Sequence, residues 1–564
     1  MPKQPLSDST QSSRQGVFST RRRLLPPASA MRRHGAEILR LKRATKRVDF
    51  VSQLPFELVS SLILPDVLCL PYGHAFLYLH VCRTWRQRVL QSQLHYQNFG
   101  KLTQGGMNIM LAYAPYLHKI RIGSPTPFPV NFFARAQFTS LQSLRLFVCF
   151  ENDMHALYPL LTPIAYTLKE LYLLVNRSTL HMEICLNEIL QRCTNIEIFS
   201  CNKVNVTDLI AHPQHIHKVK KLVLTTITQP LGSQDVIDLL KRFPSLEHLV
   251  LTDCQDSSPL ATLHQYCPAL GSLSYMMTGQ TRSLALDAPV MNISGFHSLS
   301  IGAGDSFNIQ HLIPLLTAHC DTLVDIHIHG KMNQQSNMTN AVLPQDVVFK
   351  QLRKFTFDPN QVNDGKTLIQ WILKRVPNAR KIHVINCNVD GQHVYEALKQ
   401  AKNLKSLTFT LPSPSLIHLL EYHGTLGHQS TLHSVNMNVD FSREHRALAF
   451  KAVVRLSNLR TLYFELQVAA LGEEFVAFIE NMALGCPFLE EVIMLALTEF
   501  PSAIIAKFPL CLKLRQLTLG GLNVWYECLL QLLKCPSLKD LFIDRENIQD
   551  HVAAKLDHLI REDE

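Results

Sequence analysis

The sequence predicts an α/β solenoid, with a curved parallel sheet inside, helices outside and a small all-α module in front. Three observations predict it. A six-residue apolar pattern recurs from residue 117 towards the end of the chain, cysteines return at fixed places within it, and the composition changes at residue 50. At 564 residues the chain exceeds what one compact core accommodates, and a repeat array or several domains follow from length alone.

The repeated pattern is L-x-x-L-x-L, with Ile, Val, Phe or Ala at some positions. Clear copies are Leu141/Leu144/Leu146, Leu168/Leu171/Leu173, Val219/Leu222/Leu224, Leu246/Leu249/Leu251, Leu323/Ile326/Ile328 and Leu404/Leu407/Phe409, and nearer the end Leu459/Leu462/Phe464, Leu514/Leu517/Leu519 and Leu538/Leu541/Ile543. Weaker copies start at Leu117, Ile196, Leu270, Phe296, Leu352, Ala379, Leu432 and Leu489, making 17 units with starts 23 to 30 residues apart. The last two apolar positions are two apart and share one face of a short strand. Segments such as Ser233–Phe243, with Val236, Ile237, Leu239 and Leu240, supply a helical return. One unit cannot cover its own apolar side, so neighbours must stack.

Cys193, Cys267, Cys320, Cys486 and Cys535 all stand three residues before the first apolar position of a unit, and in three of them a proline follows and stops the helix. Cys254 and Cys387 stand eight residues after that position, at a buried turn, whereas Cys201 stands five after and does not fit. No C-x-x-C pair occurs among the 14 cysteines, which argues against a zinc module and for thiols used in packing. The spacing lies in the range of leucine-rich repeats. L-x-x-L-x-L-x-x-C with C-P-x-L resembles the cysteine-containing repeats of that class common in F-box proteins.

Residues 1–49 are rich in Ser, Gln, Pro and Arg, a composition that cannot offset its ordering entropy. Their 12 Lys/Arg and three acids give 12 − 3 = +9 of the chain's +10. The other residues hold 43 basic and 42 acidic side chains, a balance of +1, so the folded body has no global attraction for nucleic acid. Arg21–Arg23 and the Arg40–Arg47 cluster read as a nuclear signal, a mitochondrial presequence or a solvated leader. No apolar run of 18 residues and no secretory leader are present, so no membrane partner is expected, the location is cytoplasmic, nuclear or both, and the sequons at Asn176, Asn205, Asn292 and Asn337 are expected to stay unmodified.

From residue 50, Leu54-Pro55-Phe56-Glu57-Leu58 opens a helix whose face continues through Leu62 and Ile63, with Pro55 suited to the first turn. Beyond Pro65 and Pro71-Tyr72-Gly73, a second helical segment ends in Val81-Cys82-Arg83-Thr84-Trp85. LPxEL followed by VCxxW resembles the F-box signature, on Leu54, Pro55, Glu57, Leu58, Val81, Cys82 and Trp85. The resemblance implies that Leu54, Pro55, Leu58, Ile63 and Val81 dock on a Skp-type adaptor of a cullin–RING ubiquitin ligase, with Trp85 anchoring the module's last helix. The expected organisation is a basic tail over 1–49, an F-box over 50–95, a linker or capping helix over 96–116 and the solenoid over 117–564.

Motifs of chemistry are incomplete. Gly365-Lys366-Thr367 lacks the glycine a phosphate loop needs at position 360, which is Asn, and neither G-x-S-x-G nor H-E-x-x-H occurs. Asp325, His327 and His329 alternate along one strand, but same-face neighbours there lie about 7 Å apart, too far to share a metal easily. No catalytic residue, cofactor or metal is therefore expected. Residues between and just after the buried strand positions face the open side, among them His248, Asp325, His327, His329, His383, Tyr463 and Phe542. Their mix of imidazoles, aromatics and acid suits a protein epitope. The resemblance implies a non-catalytic substrate-recognition subunit of an SCF-type ligase. The alternative is a repeat scaffold or inhibitor attached to no ligase.

Overall fold

The computed structural model describes residues 83, 86–87, 90, 94–97, 111–122, 130–148, 151–176, 183–211, 215–227, 229–278, 295–307, 309–332, 343–357, 363–384, 392–409, 414–438, 443–466, 473–496, 502–520, 531–532 and 534–543. Nearly all of these belong to one of the chain's two units, Leu68–His74 with Gln93–Glu564; the other is Met1–Val67 with Ala75–Ser92. The basic tail and all eight predicted F-box positions (Leu54, Pro55, Glu57, Leu58, Ile63, Val81, Cys82 and Trp85) lie outside the described residues, as do Cys387, Asn292 and Asn337.

The solenoid unit is built on one sheet. Its strands are β1 (Leu94–Gln97), β2 (Leu117–Ile122), β3 (Ser143–Val148), β4 (Glu170–Val175), β5 (Ile184–Cys185), β6 (Ile198–Asn205), β7 (Lys221–Ile227), β8 (His248–Cys254), β9 (Ser272–Met277) and β10 (Ser298–Phe307). They continue with β11 (Asp325–Met332), β12 (Lys354–Phe357), β13 (Lys381–Val384), β14 (Ser406–Phe409), β15 (Ser434–Asn438), β16 (Thr461–Leu466), β17 (Glu491–Ala496), β18 (Gln516–Gly520) and β19 (Asp540–Ile543). Each of the 17 units read from the sequence supplies one strand, β2 to β4 and β6 to β19. Two strands were not foreseen: β1 precedes the first unit and pairs with β2, and the two-residue β5 pairs with the far end of β6. Every pairing is parallel, as the helical return in each unit requires.

One backbone device fixes the register. The residue after each unit's first apolar position offers its carbonyl oxygen to two consecutive N–H groups of the next unit. Gln142 O accepts from Lys169 N and Glu170 N, both at 2.8 Å, and the same step runs without a break to Arg515 O, which accepts from Lys539 N at 2.8 Å and Asp540 N at 3.0 Å. A slip of one residue would turn every strand's apolar set outwards, so ladder and pattern enforce each other.

The core lies between strands and helices. In every unit before the last, the first apolar residue and the two in its strand are buried, as with Leu141, Leu144 and Leu146 or Leu246, Leu249 and Leu251. Leu538 and Leu541 of the last are half-buried. Facing them are helix residues such as Val236, Leu239 and Leu240 of Ser233–Leu240. The best-defined joint is aromatic: the Phe464 ring of β16 lies 5.3 Å from Phe478 and 6.2 Å from Phe450, rings carried by the helices Glu473–Gly485 and Arg443–Val453. Such edge-on pairs add to the gain from burial alone.

The cysteines pack as expected and also donate hydrogen bonds. Cys267 Sγ–H points at Leu240 O and Phe243 O, 3.7 and 3.4 Å away, and Cys486 Sγ at Val453 O, 3.6 Å away. Leu240 and Val453 end the preceding units' helices, and Phe243 lies three residues beyond. Each carbonyl also accepts a backbone N–H, Leu240 O from Phe243 N at 2.9 Å, Phe243 O from Leu246 N at 3.1 Å and Val453 O from Leu456 N at 3.0 Å, so each thiol is an added donor. Burial pushes both thiols up to about 12, so they stay protonated donors. Cys511 occupies the same place before Leu514, a position the sequence reading passed over, whereas Cys320 is only half-buried. Cys201 is explained differently from the expectation. It takes the last apolar position of its unit, after Ile196 and Phe199, and is buried there in place of a leucine.

A second inter-unit ladder runs just before the first apolar position. Asn195 Nδ2 donates to Tyr166 O at 2.8 Å, Asn378 to Lys350 O at 2.8 Å, and Asn458 to both His428 O at 2.9 Å and Ser430 O at 2.7 Å. Thr322, Thr431 and Ser537 do the same with hydroxyls. Short polar side chains here tie each turn to the one before it.

Candidate functional site: the open face of the sheet

Because strand side chains alternate, the residue between the two buried positions of each strand points away from the helices. The register sets these residues side by side. From β6 to β19 the row reads Ser200, Val223, Val250, Ser274, Ser300, His327, Thr356, His383, Thr408, Asn436, Tyr463, Ile493, Thr518 and Phe542. On the other side it runs through Tyr172 and Arg145 to Arg121. Strands are about 4.8 Å apart, so these side chains stand in contact and most are half-buried by their neighbours.

The row changes character along its length. Arg121 and Arg145 are exposed, the stretch from Ser200 to Ser300 carries no charge, and imidazoles follow on β11 and β13. Tyr463, Ile493 and Phe542 make the last stretch apolar, with Phe542 53% exposed. Two tyrosines hold their phenol protons more firmly than usual. Burial raises Tyr463 and then the Glu465 charge adds to it, and Tyr172 is raised by burial and then by Glu170. Both offer an aromatic face and a neutral hydroxyl.

The structure gathers four of the predicted site residues. Asp325, His327 and His329 lie along β11, and His383 lies two strands away with the buried Thr356 between. The rings of His327 and His329 are 4.8 Å apart, closer than the backbone spacing implies because they lean together. Gly302 of β10 makes this possible, since a Cβ there would collide with the His329 ring. Asp325 Oδ2 accepts a bond from Lys354 Nζ at 3.4 Å. Burial lowers His327 to about 4, helped by His329 and Lys354, and lowers His383, helped by Lys354. Both rings are therefore neutral at pH 7, and the Nε2 atoms of His327 and His383 have no hydrogen-bond partner among the described residues. Both Nε2 atoms are buried, so a group laid on the face meets the half-buried rings and not those nitrogens.

His248, Tyr463 and Phe542 lie elsewhere on the same surface. His248 is the exposed leading residue of β8, three strands before β11, while Tyr463 is three strands beyond β13 and Phe542 three beyond that. A three-strand step is about 14 Å, so the predicted residues belong to one surface and not to one pocket. Asn436, Ile493 and Thr518 belong to the row although they had not been singled out. Their signal was positional: each follows a buried strand residue by one place. Among the described residues no group of three or more His, Cys, Asp or Glu side chains is arranged to hold a metal ion, and no helix is long and apolar enough to cross a membrane.

No family model and no curated protein matches the chain. Among solved structures it is similar to a chain in the crystal structure of the Rad7 and Elc1 complex in yeast, with a TM-score of 0.37 and 15% identity over 64% of this chain and 94% of that one. The repeat reading rests instead on the unbroken carbonyl ladder and the register beneath it. Fold and face together define a repeat protein of the leucine-rich-repeat type.

Proposed function

We propose that this chain is a non-catalytic recognition subunit that holds a protein partner on the open face of its sheet. The observation that carries the reading is the row itself, in which β11 to β19 bring neutral imidazoles, short polar groups and exposed aromatics into one continuous strip. Flat rings with a polar atom give large contact area at low entropic cost, and the polar groups between them set register. The finer reading is that of a substrate receptor in an SCF-type ligase. The F-box resemblance at Leu54, Pro55, Glu57, Leu58, Ile63, Val81, Cys82 and Trp85 supports it, with a Skp-type adaptor and cullin on one side and the substrate on the other. In that arrangement the chain does no bond chemistry, and its contribution is proximity to a charged conjugating enzyme.

Affinity capture tests both levels. The wild-type chain is compared with Leu54→Ala/Pro55→Ala and with Tyr463→Ala/Phe542→Ala, and the retained proteins are identified by mass spectrometry. The reading expects the first variant to lose the adaptor and keep the other partner, and the second to do the reverse. A wild-type chain that retains no adaptor removes the ligase and leaves a binding scaffold.

A further inference from the structure

The leading edge of the sheet, where the chain turns into each strand, carries a row of exposed charged residues. On part of it opposite charges on neighbouring turns pair. Lys220 Nζ lies 3.1 Å from Glu197, and Glu490 lies between Arg460 at 3.6 Å and Arg515 at 4.0 Å. On three other successive turns Arg353, Arg380 and Lys405 occupy the equivalent ladder positions with no acid interleaved. Among the described residues none of the three has an ion-pair partner, and all are exposed. Their backbones are about 4.8 Å apart, a spacing at which like charges destabilise a sheet.

Together with Lys350, Asn378 and Asn403, these residues line a groove of about 440 Å³. Asn378 is tied to Lys350 O at 2.8 Å and Asn403 to Pro377 O at 3.2 Å, so held amides alternate with the cations in its lining. Lys350 is the one of the four whose charge is met, by Asp321 at 3.1 Å. Guanidinium groups so placed match carboxylates in a forked, two-bond geometry.

We infer that this groove binds a segment of consecutive Asp and Glu side chains in a protein partner. The inference rests on the protein-recognition reading and narrows the class of partner. A run of acids meets the whole row, about 10 Å long over three strands, whereas a single phosphate spans two of its cations. Nucleic acid fits less well, because the lining holds no aromatic ring on which a base could stack and the chain beyond residue 49 is nearly neutral at +1.

The test uses the full chain and fluorescein-labelled octaglutamate, with binding read by fluorescence anisotropy at several salt concentrations. Comparison ligands are a neutral peptide bearing one phosphoserine and an eight-nucleotide uridine RNA. The wild type is expected to bind octaglutamate with strong salt dependence. Arg353→Gln/Arg380→Gln/Lys405→Gln should weaken it about tenfold, and Arg460→Gln/Arg515→Gln should leave it unchanged. Circular dichroism confirms that each variant is folded. No binding by the wild type, equal loss in both variants, or tighter binding of the phosphoserine peptide or RNA overturns the inference. If the triple variant still retains the captured protein partner with wild-type affinity, the groove assignment fails while protein recognition by the open face stands.

Discussion

Two adjacent residues on β16, Phe464 and Tyr463, should respond to alanine substitution in opposite ways. Phe464 is fully buried and meets the rings of Phe450, Phe475 and Phe478 at 6.2, 6.5 and 5.3 Å. Removing it deletes a large apolar side chain and leaves a cavity between two rigid layers, a change that costs about 3–5 kcal/mol. The aromatic cluster argues for the upper part of that range. Tyr463 points to the other side, half-exposed between Asn436 and Ile493, and its loss should change stability by less than about 1 kcal/mol. Urea unfolding followed by far-ultraviolet circular dichroism separates the two. Phe464→Ala should lower the midpoint by several tenths of a molar, up to roughly 1 M, whereas Tyr463→Ala should leave it near wild type and weaken partner binding. If Tyr463→Ala destabilises as much as Phe464→Ala, the assignment of faces is wrong.

Acid should destabilise the solenoid in a definite window. His319 is buried against Phe296 and His264, its Nδ1 accepts from Phe296 N at 3.4 Å, and burial, with His264 next, lowers it to about 4. An unfolded histidine titrates near ~6.5, so above that pH neither state holds the extra proton; as pH falls towards 4 only the unfolded state gains it, and stability drops by an order of 3 kcal/mol. Unfolding midpoints at pH 7.5 and 4.5 should therefore differ less for His319→Asn than for the wild type, and an identical difference would contradict this. Cys267 and Cys486 should resist iodoacetamide at pH 8 in the native chain and react after denaturation, since burial keeps both as thiols; rapid native labelling would refute their packing role. Cys267→Ala should cost about 1 kcal/mol, because it removes the sulfur donor that Leu240 O and Phe243 O accept beside their backbone partners, a loss readable in the same urea experiment.

Period alone located each of the 17 units, because an apolar side chain every second residue, returning after about one turn, has few ways to be buried. Local irregularities were not visible in that way. β5 has only two residues, and it is set beside β6 where Asn202 closes the end of β4, its Nδ2 donating to Val175 O at 2.8 Å and its Oδ1 accepting from Val175 N. Cys201 was misread because cysteine was sought at two places and stood at a third. The asparagine ladder was in plain view, since Asn195, Asn378, Asn403 and Asn458 all precede a unit's first apolar residue, but its partners lie 25 to 30 residues away. The open face was legible as a set of positions. Which of them meet became visible only with the register, which joined His383 to the β11 histidines and separated Tyr463 from both. The basic groove escaped for the same reason, as Arg353, Arg380 and Lys405 are about one repeat apart in sequence and adjacent in space.

A photo-reactive phenylalanine analogue placed singly in the full chain tests most directly which side of the solenoid recognises protein. Positions His383 and Tyr463 probe the open face, and Leu484, 80% exposed on the helix Glu473–Gly485, probes the opposite layer. Irradiation in cells, followed by denaturing capture of the chain, should give a covalent protein adduct from His383 and Tyr463 and none from Leu484. Adducts arising from Leu484 alone, with both open-face positions silent, would contradict the account.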